Sequence, residues 1–234
     1  KPSAQAAKEA SMASINLRYV LPPVAIGSAI LSTMVFWYLL VVDFSYPSFE
    51  SIYANFAFWI VWCVTAYVLP LCLPCLANWK IIRPPILAAL ALLCAVLAFS
   101  MDVAGNYMVF FVNSLQDSAS ANEARMALVF NCWKAAMALQ AVSLFLLTFT
   151  CLQLRNKLFG FLALPFALLF ALSSGANLSE KFFIYSDVNI ASAPVFSYFP
   201  YLFYTIGIIF CCIAIMVDEK HRLDPAAHSK EQGL

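Results

Sequence analysis

Residues 158–178 read LFGFLALPFALLFALSSGANL, a charge-free run of about the twenty residues that a helix needs to cross a ~30 Å hydrocarbon core. Arg155 and Lys157 stand just before it, and Glu180 and Lys181 just after it. Working outward, five more runs have the same character, over 19–42, 54–76, 85–112, 126–154 and 195–217. The chain is 64% hydrophobic and 11% charged, too little polar surface to cover a soluble globule. Six apolar spans predict an all-α, polytopic membrane bundle. It divides into a segment 1–18, a membrane domain 19–217 and a tail 218–234.

Charge sets the expected orientation. Ten of the thirteen Lys and Arg residues flank alternate ends of these runs: Lys1, Lys8, Arg18, Lys80, Arg83, Arg155, Lys157, Lys220, Arg222 and Lys230. The opposite connections carry only Arg125 and Lys181, against Asp43, Glu50, Asp117, Glu123, Glu180 and Asp187. The positive-inside rule makes the first set cytoplasmic, so both termini are expected inside. A bacterial inner membrane fits this best, with plasma or organellar membranes as alternatives. A net charge of +1 gives no steering toward nucleic acid.

Two spans carry irregularities. Pro70 and Pro74 fall in the inner half of the second, where each removes a ladder donor, so a kink or local unwinding is expected there. The third run is too long: about 28 residues would reach ~42 Å against a ~30 Å core. Either that helix tilts strongly, or it ends near Asp102 with Asn106 to Leu115 along the outer interface. The second arrangement is the one expected, because Asp102, Gly105 and Asn106 cluster where a span begun at Pro85 would reach the headgroups. With only 6 Gly in the chain, the packing seams must rest on Ala, Ser and interdigitating side chains. No motif repeats between the two halves, so an inverted-repeat carrier has no support from the sequence.

Lys134 is the most anomalous residue, being well inside the fourth span with apolar sequence on both sides. A charge there needs a partner or water. With Asn131 one turn earlier, and Asp102 at a comparable depth if the third helix continues to Val112, the candidate intramembrane polar cluster is Asp102, Asn106, Asn131 and Lys134. Lys134 either pairs with Asp102 or snorkels to the surface on its four-carbon stem. Ser173, Ser174, Asn177 and Lys181 form a second polar patch at the outer end of the fifth span. It is either a vestibule or a capped and solvated helix end.

Several chemistries lack their residues. His221 and His228 both lie in the tail, so no span offers an axial imidazole for haem or metal, and no cofactor is expected. There is no G-x-S-x-G, P-loop or Gly-rich nucleotide motif. Cys72-Leu73-Pro74-Cys75 has redox spacing, but it sits in an apolar span toward the reducing side and reads better as packing around a proline kink.

Between Tyr46 and Tyr201 the chain carries Tyr46-Pro47, Arg83-Pro84-Pro85, Ser100-Met101-Asp102 with Gly105, Asn113 before the acidic stretch Asp117 to Glu123, and Ser173-Ser174 followed by Lys181-Phe182-Phe183. In these features the segment resembles the membrane domain of the phosphoethanolamine transferases that modify lipid A. Those enzymes continue into a large periplasmic domain with a Thr nucleophile and zinc ligands. Here a sixth span and a short tail follow instead, so no catalytic residue carries over, and the resemblance implies a lipid-facing scaffold. The expected function is therefore non-enzymatic: a channel or carrier, or a membrane subunit of a transport complex. The alternatives are a scaffold subunit of a larger complex and a lipid-binding domain. Its expected partners are the lipid bilayer and, through Phe-rich faces, other membrane subunits.

Overall fold

The computed structural model describes residues 17–41, 52–79, 86–108, 119–178 and 200–223. Its elements are α1 (Leu17–Val41), α2 (Ile52–Cys63), a π-helical turn (Val64–Val68), α3 (Leu69–Asn78), α4 (Ile86–Tyr107), α5 (Ala119–Leu152), α6 (Leu158–Leu178) and α7 (Pro200–Leu223). Among the described residues there is no strand. Five stretches are long and apolar enough to cross a bilayer, namely Leu17–Val35, Phe56–Asn78, Ile86–Tyr107, Ala127–Leu152 and Pro200–His221, and α6 is a sixth apolar helix. Helices of this kind mark an integral membrane protein, because a helix satisfies its backbone groups within its own segment in a medium without water.

The seams are built from small residues. Along α4 the buried positions are Ala88, Ala91, Ala95, Ala98, Asp102, Gly105 and Asn106, a stripe at helical spacing, while Leu90, Leu93, Val96 and Leu97 point outward. That stripe lets α5 come close: Ser143 Oγ donates to the Ala91 carbonyl at 2.7 Å, and a Cβ on Gly105 would meet Trp133 Nε1 at 2.7 Å. On α6 the same device uses Gly160, Ala163 and Ala167. α7 packs between α1 and α6 and also touches α3 and α5.

The third span departs from expectation. Its helix does not stop near Asp102 but runs on to Tyr107, 22 residues or ~33 Å, which matches the core thickness without strong tilt. Of the segment expected along the interface, residues beyond 108 lie outside the described ones. The last helix likewise continues past Val217 to Leu223. Its extra turn carries Asp218 and Glu219 as helical, buried residues.

The irregularity expected around Pro70 takes a specific form. Pro70 has no N–H to offer, and the Ala66 carbonyl, four residues earlier, accepts instead from Tyr204 Oη at 2.7 Å and Gln140 Nε2 at 3.1 Å. The turn widens to π geometry over Val64–Val68, with the Leu69 N–H reaching Val64. A missing backbone donor is thus replaced by side chains from α7 and α5, as a dry setting requires.

Candidate functional site

The π turn and the small-residue face of α4 meet at Asp102. Sixteen residues from the start of α4, this carboxylate lies ~24 Å along the helix and ~8 Å short of its end. It is 4% exposed. Cys63 Sγ donates to its Oδ2 at 3.2 Å, and Asn106 Nδ2 donates to its Oδ1 at 3.3 Å and to the Asp102 backbone carbonyl at 2.9 Å. The Tyr67 hydroxyl, carried by the π turn, is a neighbour of the same carboxylate. Tyr67 in turn neighbours Tyr201, in the first turn of α7.

Aromatic edges close the site. Trp62 stands edge-on to Tyr67 at 6.0 Å and packs on Tyr201 at 5.9 Å, and its Nε1 donates to the Ser32 carbonyl of α1 at 3.4 Å. Cys63, Tyr67, Asn106 and Tyr201 are all buried. The hydrogen-bond partners of Asp102 are neutral, and the ion pairs of Arg18 go to Asp218 and Glu219 instead.

Of the four residues expected to cluster, the structure joins two. Asp102 and Asn106 hydrogen-bond, whereas Asn131 points to the outside of the bundle and Lys134 is half-buried without an ion pair to Asp102. α5 turns Trp133, not Lys134, onto the α4 stripe beside Gly105. At the second patch, Ser173 and Ser174 are buried. The Ser173 hydroxyl returns to its own helix, at the carbonyls of Leu169 (2.8 Å) and Phe170 (3.0 Å), and that of Ser174 has no hydrogen-bond partner among the described residues. The side chain of Asn177, all of Lys181, and the loop residues Tyr46-Pro47, Arg83-Pro84-Pro85, Asn113 and Asp117 lie outside the described residues.

Cys63, Tyr67 and Tyr201 carry no signal in the sequence that separates them from packing residues. The same is true of a second polar assembly, at the other end of the bundle. Arg18 Nη1 lies 3.0 Å from Asp218 Oδ2 and 2.6 Å from Glu219 Oε2, and Arg18 Nη2 donates to Asn78 Oδ1 at 3.1 Å. The Arg155 backbone N–H caps the other Asp218 oxygen at 3.0 Å. One buried guanidinium thereby ties α1, α3, α7 and the α5–α6 connection together. A clue was present: Asp218-Glu219 follows directly on an apolar run that ends on the same side as the Arg18 end of α1.

The eight cysteines are free. Cys72 and Cys75 are buried among Cys151, Cys211 and Cys212 in the half of the bundle nearer Arg18, where Thr148 Oγ1 is 3.6 Å from Cys211 Sγ. Among the described residues no group of three His, Cys, Asp or Glu side chains could hold a metal ion. No protein-family model matches the chain, and no curated protein or solved structure matches it either.

Proposed function

We propose that this protein is a six-span carrier with both termini on the cytoplasmic side, and that Asp102 is its working group. One observation carries the reading: a buried carboxylate ~8 Å inside the bundle has only neutral hydrogen-bond partners. An ionised group there keeps an uncompensated charge in a low-dielectric setting, a cost that a purely structural bundle avoids by using an apolar residue. Asp102 therefore gains from taking up a positively charged species. The π turn beside it adds support, since a break in the helical ladder at membrane depth gives Tyr67 and the Ala66 carbonyl room to rearrange. The Arg18 assembly closes the opposite end of the bundle, as an outward-open or occluded carrier requires.

Cys63 supplies the test, because its thiol touches Asp102. In a chain whose other seven cysteines are replaced, an impermeant thiol reagent is applied to right-side-out and to inverted vesicles. A carrier that alternates exposes Cys63 to the reagent from both faces in turn. Labelling from neither face, together with stoichiometric companion proteins after purification in mild detergent, would make the chain a scaffold subunit.

A further inference from the structure

Resting on Asp102 as the working group of a carrier, we infer that the species it takes up is a proton, delivered along the hydroxyls of Tyr67 and Tyr201, and not a metal cation. The donor set decides this. A hard cation needs a shell of about six oxygen ligands presenting lone pairs to it. Around Asp102 the neighbours present hydrogens instead: the Cys63 thiol points at Oδ2, and the Asn106 amide turns its NH2 toward Oδ1. Both carboxylate oxygens are already engaged by donors, and both donors would have to turn away before a cation could enter.

A proton needs no such shell. Tyr201, Tyr67 and Asp102 stand in series from the first turn of α7 into the bundle, with both phenol rings packed on Trp62. A proton arriving on Tyr201 Oη displaces that group's own proton to Tyr67 Oη, and the proton of Tyr67 moves to Asp102. Both phenols end neutral, and Asp102 ends as a carboxylic acid. No oxidant or other reactant is consumed. The acid then donates to Tyr67 Oη or Cys63 Sγ, groups that can rotate to accept. Neutralised, Asp102 no longer opposes rearrangement of the surrounding helices.

Titratable and charged groups reach this site from each packed element. α2 brings Cys63, the π turn Tyr67 and α7 Tyr201, while α5 brings Cys132, beside Trp133 at Gly105, with Lys134 nearby in sequence and not ion-paired to Asp102.

Infrared spectroscopy of the full chain in lipid nanodiscs tests the inference. The probes are bulk pH and sodium chloride, with choline chloride as the control. The expected result is a protonated-carboxyl C=O band that appears as pH falls, is the same in sodium and choline, and is lost in Asp102→Asn. Tyr67→Phe should keep the band and slow its exchange in heavy water. Absence of the band at every pH in the unsubstituted protein, or its removal by sodium at constant pH, overturns the proton assignment. If that happens while Cys63 is still labelled from both faces, the carrier reading survives and the proton alone is rejected. If Cys63 is unreactive from both faces, the carrier reading itself fails.

Discussion

Arg18 and Asp218, separated by 200 positions in sequence, form a 3.0 Å ion pair that is almost wholly shielded from solvent. Glu219 shares the same guanidinium nitrogen, and Asn78 takes the other. The expected consequence is strong dependence on the cation. Arg18→Met leaves two buried carboxylates without their partner and should cost about 3–5 kcal/mol. Combining it with Asp218→Asn and Glu219→Gln should recover most of that loss. Thermal unfolding in detergent measures both, and a triple variant no better than Arg18→Met would mean that the arginine contributes packing rather than charge.

The Pro70 defect predicts a coupling across the bundle. Tyr204→Phe removes one of the two side-chain donors to the Ala66 carbonyl and should cost about 1 kcal/mol. In a Pro70→Ala background, where a backbone N–H is available again, the same change should cost clearly less. A double-mutant cycle reads the difference. Equal costs in the two backgrounds would show that the restored amide does not reach Ala66.

Asp102 and Lys134 should behave independently. Because they form no ion pair, the stability changes of Asp102→Asn and Lys134→Met should add to within about 0.5 kcal/mol. A rescue larger than about 1 kcal/mol in the double variant would establish a contact between them in solution.

Two glycines should respond oppositely to alanine. At Gly105 the added methyl would sit 2.7 Å from Trp133 Nε1 and 2.8 Å from its Cδ1, so Gly105→Ala should destabilise by about 1–3 kcal/mol. At Gly27 nothing lies within 4 Å, and alanine's higher helix propensity should leave Gly27→Ala neutral or up to about 1 kcal/mol more stable. Paired melting curves compare them. Equal behaviour would mean that the α4–α5 seam yields freely around Trp133.

Much of the bundle was legible before any coordinates, and for a physical reason. Runs such as 158–178 contain nothing that could satisfy a backbone in lipid except their own helix, and the prolines at 70 and 74 carry no N–H in any context. With only 6 Gly in the chain, seams built on Ala and Ser were expected, and Ala88, Ala91, Ala95 and Ala98 supply one. What local sequence does not hold is which residue on a neighbouring helix each polar group meets. Asp102 and Lys134 look like natural partners by charge and depth, yet α5 is rotated so that Trp133 faces Gly105, and Asp102 turns to Cys63 and Tyr67. The third helix was expected to end at Asp102 because a carboxylate reads as a headgroup-level residue. It runs on to Tyr107 because hydrogen bonds from Cys63 and Asn106 make burial of that carboxylate tolerable. Arg18, Asn78, Asp218 and Glu219 each resemble an ordinary helix end, and only the packing of α1, α3 and α7 turns them into one buried assembly. Composition and periodicity thus determined the solvent and the secondary structure, whereas helix rotation, a property of the packed bundle, decided which polar groups share a site.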